Sequence, residues 1–171
     1  LVGTPQMKQA NDWAVAKYKS WGISARNEKW GQWRGWERGI THVDMTYPRV
    51  QSLKATQLAW NPSTSNKGVS AEVIIIPTIA DKAAFQRWLK TIKGKIVLIS
   101  EKQITGRPDY NWEEFATPES FEKMKKERSA ATAAWRKNIS NTGFNSRTII
   151  AELEKAGAAG LVASNWSRGF G

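Results

Sequence analysis

Apolar positions recur every three to four residues at the start of the chain and change period after Gly22. Met7, Ala10, Ala14, Tyr18 and Trp21 share one side at helical spacing, with Trp13 beside them. Thr4 is a capping residue type, Pro5 suits the first helical position and Gly22 is a stop, so a helix is predicted over 5–21. From Ile23 to Trp60 the helical period is lost. "SARNEKW" (24–30), "ITHVDMTY" (40–47) and "LKATQLAW" (53–60) read as strands, broken by Gly and by Pro48. "NPSTSNKG" at 61–68 reads as a turn or exposed loop.

The second half alternates short apolar runs with helical patterns. A core strand is predicted at 69–77. A helix follows, capped by Asp81, with Phe85, Trp88, Leu89 and Ile92 inward and Gly94 as its stop. "KIVLIS" at 95–100 is a buried strand, and 101–116 reads as loop. Thr117 and Pro118 repeat the cap-plus-proline signal, and a long charged helix runs to about Ile139. Phe121, Met124, Arg128, Ala131, Trp135 and Ile139 lie along one side of it, and its other faces are solvated. Ser146 is the expected cap of a short helix with Ile149, Ile150 and Leu153 inward and Gly157 at its end. "AGLVAS" (159–164) is the last strand, and 165–171 a loop or trailing end.

One stretch resists a bland reading. "KWGQWRGWERG" (29–39) holds three Trp and three basic side chains. As a strand it places Trp30, Gln32, Arg34, Trp36 and Arg38 on one face, and Gly31, Trp33, Gly35, Glu37 and Gly39 on the other. As a helix its three glycines would cost about 1 kcal/mol each relative to Ala. A strand or ordered hairpin is therefore predicted. Its Trp and Arg are candidates for packing, for contact with another domain, or for stacking on nucleobases or sugar rings.

Length and composition set the frame. The chain has 171 residues, 40% hydrophobic and 24% charged, a globular composition for one domain with an appendage. Lys and Arg number 26 against 15 Asp and Glu, a formal charge of +11 that favours acidic partners and polyanions. The absence of Cys excludes disulfides, thiolate zinc sites and thiol catalysis. No apolar run approaches the roughly 20 residues of a membrane-spanning helix, so no membrane partner is expected. The opening "LVGTPQ" lacks Met and signal-peptide character, as a processed or trimmed product would.

The inventory for catalysis is short. His42 is the single His, two residues from Asp44, and a strand would put both on one face. A catalytic zinc usually needs three protein ligands, which this pair does not supply. Glu113 and Glu114 are adjacent and point to different sides, a poor acid–base pair. There is no GxSxG elbow, P-loop or GxGxxG. No catalytic, cofactor-binding or metal residue is assigned.

The second half resembles the protease-associated domain. In that family a "GKIVL" strand precedes a helix, a Gly-Ala-like turn and a "GLV" strand; here these are Lys93–Ser100 and Ala156–Asn165. The opening "LVGTPQMKQANDWAVAKYKSWGI" is similar to the N-terminal helix of secreted zinc aminopeptidases of metallopeptidase family 28, relatives of carboxypeptidase Q. "WGQWRGWERGITHVDM" is similar to a stretch that a subset carries before its protease-associated insertion. The resemblance implies a mixed α/β (α+β) fold with a β-sandwich or barrel-like sheet, flanking helices and an N-terminal helical arm. It implies a peptidase-domain segment over 1–50 and a protease-associated domain over 51–171, with a helical insertion near 117–140. It further implies export, to the periplasm or outside the cell, and a role as the non-catalytic accessory region of a zinc aminopeptidase. In such a parent, zinc and its ligands lie after the insertion, so none is carried over to this chain. Trp30, Trp33, Arg34, Trp36 and Arg38 would line or pack an interdomain cleft facing the catalytic domain and its peptide substrates. The rival is a stand-alone binding module for nucleic acid or glycan using Trp30, Arg34, Trp36 and Arg38, with nucleic acid the less expected ligand. The aromatic side of helix 5–21 needs cover, so a homodimer, a swapped helix or docking on the accessory domain is expected.

Overall fold

Thr4 opens the first helix as its side chain predicts. In the computed structural model, which describes residues 3–32 and 34–164, Thr4 Oγ1 accepts from the Met7 N–H at 3.3 Å and helix α1 runs Pro5–Ser20. Gly22, at φ +76°, closes it with an N–H to the Lys19 carbonyl at 3.0 Å.

The strand expected at 24–30 does not form. Its residues are polar on both alternations, so no face exists to bury. The segment instead turns back along α1. Asn27 Nδ2 donates to Asp12 Oδ1 at 2.7 Å, and a Cβ on Gly35 would stand 3.7 Å from the Gly3 carbonyl oxygen. The described part of 29–39 is likewise irregular, not a strand or hairpin.

Strands β1 (Val43–Met45) and β2 (Gln51–Leu53) form an antiparallel pair, with Asp44 opposite Ser52. Only the centre of the 40–47 run is ladder. Beyond Leu53, which ends β2, the 53–60 run is not a strand because its groups bond elsewhere. The Gln57 N–H goes to Thr41 Oγ1 at 3.1 Å, and Trp60 sits at φ +72°, which ends an extended path. The β1–β2 ladder straddles the 50/51 boundary drawn from the sequence. The chain divides into compact units Leu1–Thr64 and Ser65–Gly171, a boundary inside the expected 61–68 loop. No described residue of the first unit is buried.

The second unit contains β3 (Val73–Ile75), α2 (Lys82–Leu89), β4 (Ile96–Leu98), α3 (Asp109–Phe115), α4 (Pro118–Asn141), α5 (Thr148–Lys155) and β5 (Gly160–Val162). The three strands form a parallel sheet in the order β3-β4-β5. Parallel crossovers are right-handed, so a sequential order carries both connections over the same face. Ile74, Val97 and Leu161, aligned across the sheet, point to that face and join a core with Phe85, Ile92 and Leu153. On the opposite face Val73, Ile75 and Val162 are 53%, 63% and 43% exposed. The observed class is mixed α/β, with five helices and two small sheets among the described residues.

Two glycines bring β4 and β5 together. Gly94 and Gly157 follow α2 and α5 at φ +75° and +86°, and the Gly94 N–H donates to the Gly157 carbonyl at 2.8 Å. A side chain at either would enter the left-handed region, and a Cβ on Gly157 would also stand 3.3 Å from Lys93 Cγ.

The caps follow sequence rules with one correction. Asp81 accepts from the Ala84 N–H at 2.7 Å, and Thr117 from the Ser120 N–H at 3.3 Å. The residue that serves α5 is Asn145, not Ser146; its Oδ1 accepts from the N–H groups of Arg147 and Thr148 at 2.9 and 3.0 Å. Helix α3 falls where loop was expected. Its seven residues are too few to be stable alone. Contacts to α4 hold it: Trp112 stacks on Phe121 with centroids 6.5 Å apart, and Asp109 accepts from Arg128 Nη1 at 2.7 Å.

The stripe Phe121–Ile139 faces inward on α4 as expected, with Met124 and Ile139 buried and the others half-buried. Beside it Asn138 receives the Ile79 N–H at 2.7 Å and donates to the Pro77 carbonyl at 2.9 Å. Asn141 donates to the Ile79 carbonyl at 2.8 Å. These two amides bind the chain leaving β3, where the ladder has ended.

Candidate functional site

The candidate residues lie in the first unit. Trp36 and Arg38 grip a neighbouring segment. Trp36 Nε1 donates to the Asn61 carbonyl at 3.0 Å, and its ring meets Trp60 at 6.5 Å between centroids. The Arg38 guanidinium lies 5.2 Å over the Trp36 ring, and its Nη1 donates to the Gln57 carbonyl. Gln57 Nε2 in turn donates to the Pro62 carbonyl at 2.8 Å. Trp36 and Arg38 therefore clamp the 34–39 segment to 57–62.

Trp30 and Arg34 stand on the surface, Trp30 at 81% exposure. Trp33 lies outside the described residues. The flat face expected from strand alternation is absent, because no ladder holds this stretch extended. Sequence reasoning missed Trp60 and Gln57. The signal was a lone Trp immediately before the Asn61-Pro62 turn, 24 residues from its partner.

Stacking on a base or sugar needs an open aromatic face. On Trp36 the cation of Arg38 occupies one, an arrangement worth about 0.5–1 kcal/mol at exposed sites. The cluster is built for internal cohesion.

His42 and Asp44 do come together, on the hairpin. His42 Nε2 and Asp44 Oδ2 are 2.8 Å apart, and the Ser52 hydroxyl donates to Asp44 Oδ1 at 2.7 Å. The carboxylate sits between hydroxyl and imidazole, so it cannot orient the imidazole toward the serine as a nucleophilic triad requires. Zinc does not fit here. The His nitrogen and the carboxylate oxygens are spent on one another and on Ser52, and no third His, Cys, Asp or Glu joins them among the described residues.

The Ser52 hydrogen bond, then that of His42, holds the Asp44 carboxyl below the usual carboxylate range. A depressed carboxyl stabilises the hairpin above its unfolded pKa and loses that contribution as pH falls through its folded value. Ser52→Ala is expected to raise the Asp44 pKa toward the ordinary range, read from its carboxyl carbon shift against pH. An unchanged titration would contradict the bond.

Elsewhere the surface offers little enclosure. Adjacent, sequentially ordered parallel strands create no topological switch point, the place where open α/β sheets bind ligands. An open depression on the first turns of α4 is lined by Pro118, Glu119 and the ion-paired side chains of Glu122, Lys123 and Glu127, with Lys126 beside them. Glu113 and Glu114 are exposed on α3. No helix among the described residues is long and apolar enough to cross a membrane. Compared with known proteins, the chain matches no family model, no curated protein and no solved structure.

Proposed function

We propose that this chain is a non-catalytic accessory region, of protease-associated type, joined to the N-terminal segment of an exported zinc aminopeptidase of metallopeptidase family 28. One observation carries this reading: among the described residues, the second unit holds all ten buried hydrophobics and the first holds no buried residue. A unit with its own core beside a segment without one is the pattern of an accessory domain next to an incomplete piece of another. The parallel pairing of β4 with β5 also supports it, since these strands carry the "GKIVL" and "GLV" runs of the resemblance. The finer architecture we propose is that family's sheet, completed as a sandwich or barrel in the longer protein. Its role is to shape peptide access or make protein contacts, with zinc and the catalytic groups supplied by the peptidase domain. The internal partners of Trp36 and Arg38, the Asn61 and Gln57 carbonyls and the cation over one Trp36 face, weigh against the alternative of a stand-alone module for nucleic acid or glycan.

The test is hydrolysis of aminoacyl and dipeptide substrates with added zinc, alongside metal analysis of the purified chain. No hydrolysis and no stoichiometric zinc are expected. Hydrolysis with bound zinc would overturn the reading and return His42 and Asp44 to the centre of a site.

A further inference from the structure

We infer that α1 and the segment folded back along it form a docking surface for an acidic protein surface. The inference goes beyond the accessory reading and stands without it. The return path puts Asn27 on Asp12 and Gly35 beside Gly3, so the described residues of 23–36 run antiparallel to a helix about 24 Å long. Among their described residues the two strips expose four large aromatics, Trp13 at 67%, Tyr18 at 48%, Trp21 at 63% and Trp30 at 81%. They also carry six basic side chains, Lys8, Lys17, Lys19, Arg26, Lys29 and Arg34, against two acidic ones, Asp12 and Glu28. Of those two, Asp12 is already engaged by Lys8 at 2.5 Å and by Asn27. α1 buries no residue, so its aromatic content contributes nothing to a core.

Charge and ring geometry together select the occupant. The excess of cations calls for an anionic partner. A single-stranded nucleic acid would need open ring faces, yet Lys17 Nζ lies 5.6 Å over Trp21 and Tyr18 meets the same ring edge-on at 5.9 Å. An anionic bilayer would need aromatic and charged residues segregated to opposite sides of the helix. Here Lys17 shares the Trp13 and Trp21 side at four-residue spacing. Aromatic residues interleaved with cations suit a protein interface, where Trp and Arg are the usual anchors and the complementary rim is acidic.

The probe is a labelled glutamate–tyrosine copolypeptide, with oligo-dT and phosphatidylglycerol vesicles run beside it at fixed salt. The full chain is expected to bind the copolypeptide more tightly than either alternative. The double variants Trp13→Ala with Trp21→Ala and Lys17→Glu with Lys29→Glu should each weaken binding about tenfold or more. Lys126→Glu with Lys137→Glu on α4 makes the same charge change elsewhere and should leave binding in place. Far-UV circular dichroism of the full chain serves as the folding control: the 16-residue helix α1 should keep its helical signal in the α1 variants, since it has no buried residue to lose. The inference is overturned if the copolypeptide does not bind or if the α1 variants bind as the parent does. It is equally overturned if the α4 variant loses as much, or if oligo-dT or vesicles bind more tightly.

Discussion

Phe85→Ala is expected to lower stability by about 3–5 kcal/mol, the range for removing a fully buried aromatic ring. Phe85 is 0% exposed and packs at 5.9 Å against Trp88 and 5.8 Å against Phe144, measured between ring centroids. Its partners come from the helix it sits on and from the connection between α4 and α5, so truncation opens a cavity that no single element can collapse into. Domains are stable by only about 5–15 kcal/mol, so the variant sits near the limit of folding. Ile75→Ala is the contrast. That side chain is 63% exposed on the open sheet face, and its loss should move stability by about 0.5 kcal/mol or less. Urea unfolding of both variants checks the pair. A Phe85→Ala loss below about 1 kcal/mol would mean that the core is not centred on this ring.

Deleting residues 1–64 is expected to leave residues 65–171 folded, with one cooperative transition close to that of the full chain. Among the described residues, all ten buried hydrophobics lie between Ile76 and Leu153, as does the one buried polar residue, Thr142. The three-stranded ladder, the asparagine grips on 77–79 and the Gly94–Gly157 bond are all internal to this unit. The complementary 1–64 piece should not fold alone. It offers a 16-residue helix, near the marginal length of about 12–15 residues for isolated helices. Its other ladder is a single two-stranded hairpin, which is marginal in water. Circular dichroism and thermal unfolding of the two pieces decide the matter. A cooperative transition in 1–64, or its loss in 65–171, would contradict the division.

The parts legible in the sequence were those fixed by local chemistry. Thr4, Asp81 and Thr117 announce helices because a capping oxygen acts within three residues, and Gly157 closes α5 for an equally local reason, whereas α2 ends at Leu89, five residues before the expected stop at Gly94. The apolar runs within 69–77, 95–100 and 159–164 read as strands because a parallel sheet buries continuous aliphatics, at least on the face its crossovers cover. Helix α3 was illegible because its warrant is Trp112 on Phe121 and Asp109 on Arg128, contacts made only after α4 is in place. The 29–39 stretch misled for a related reason. Its alternation of Trp and Arg satisfies the period of a strand, yet a ladder needs a neighbouring strand, and none pairs with it among the described residues. What orders Trp36 and Arg38 is the backbone of 57–62, a partnership no spacing rule encodes. His42 and Asp44 were correctly brought to one place, while the third member, Ser52, depends on cross-strand register. That register is set by the turn between β1 and β2.

Amide hydrogen exchange on the full chain tests the central claim most directly, that the second unit is self-sufficient and the first has no core of its own. Slow exchange should be confined to β3, β4 and β5 and the buried turns of α2, α4 and α5. Amides of α1 and of the β1–β2 hairpin should exchange orders of magnitude faster, through local opening. Protection in α1 equal to that in β4 would show the first unit packed into a core, and would contradict the division into a cored and a coreless unit.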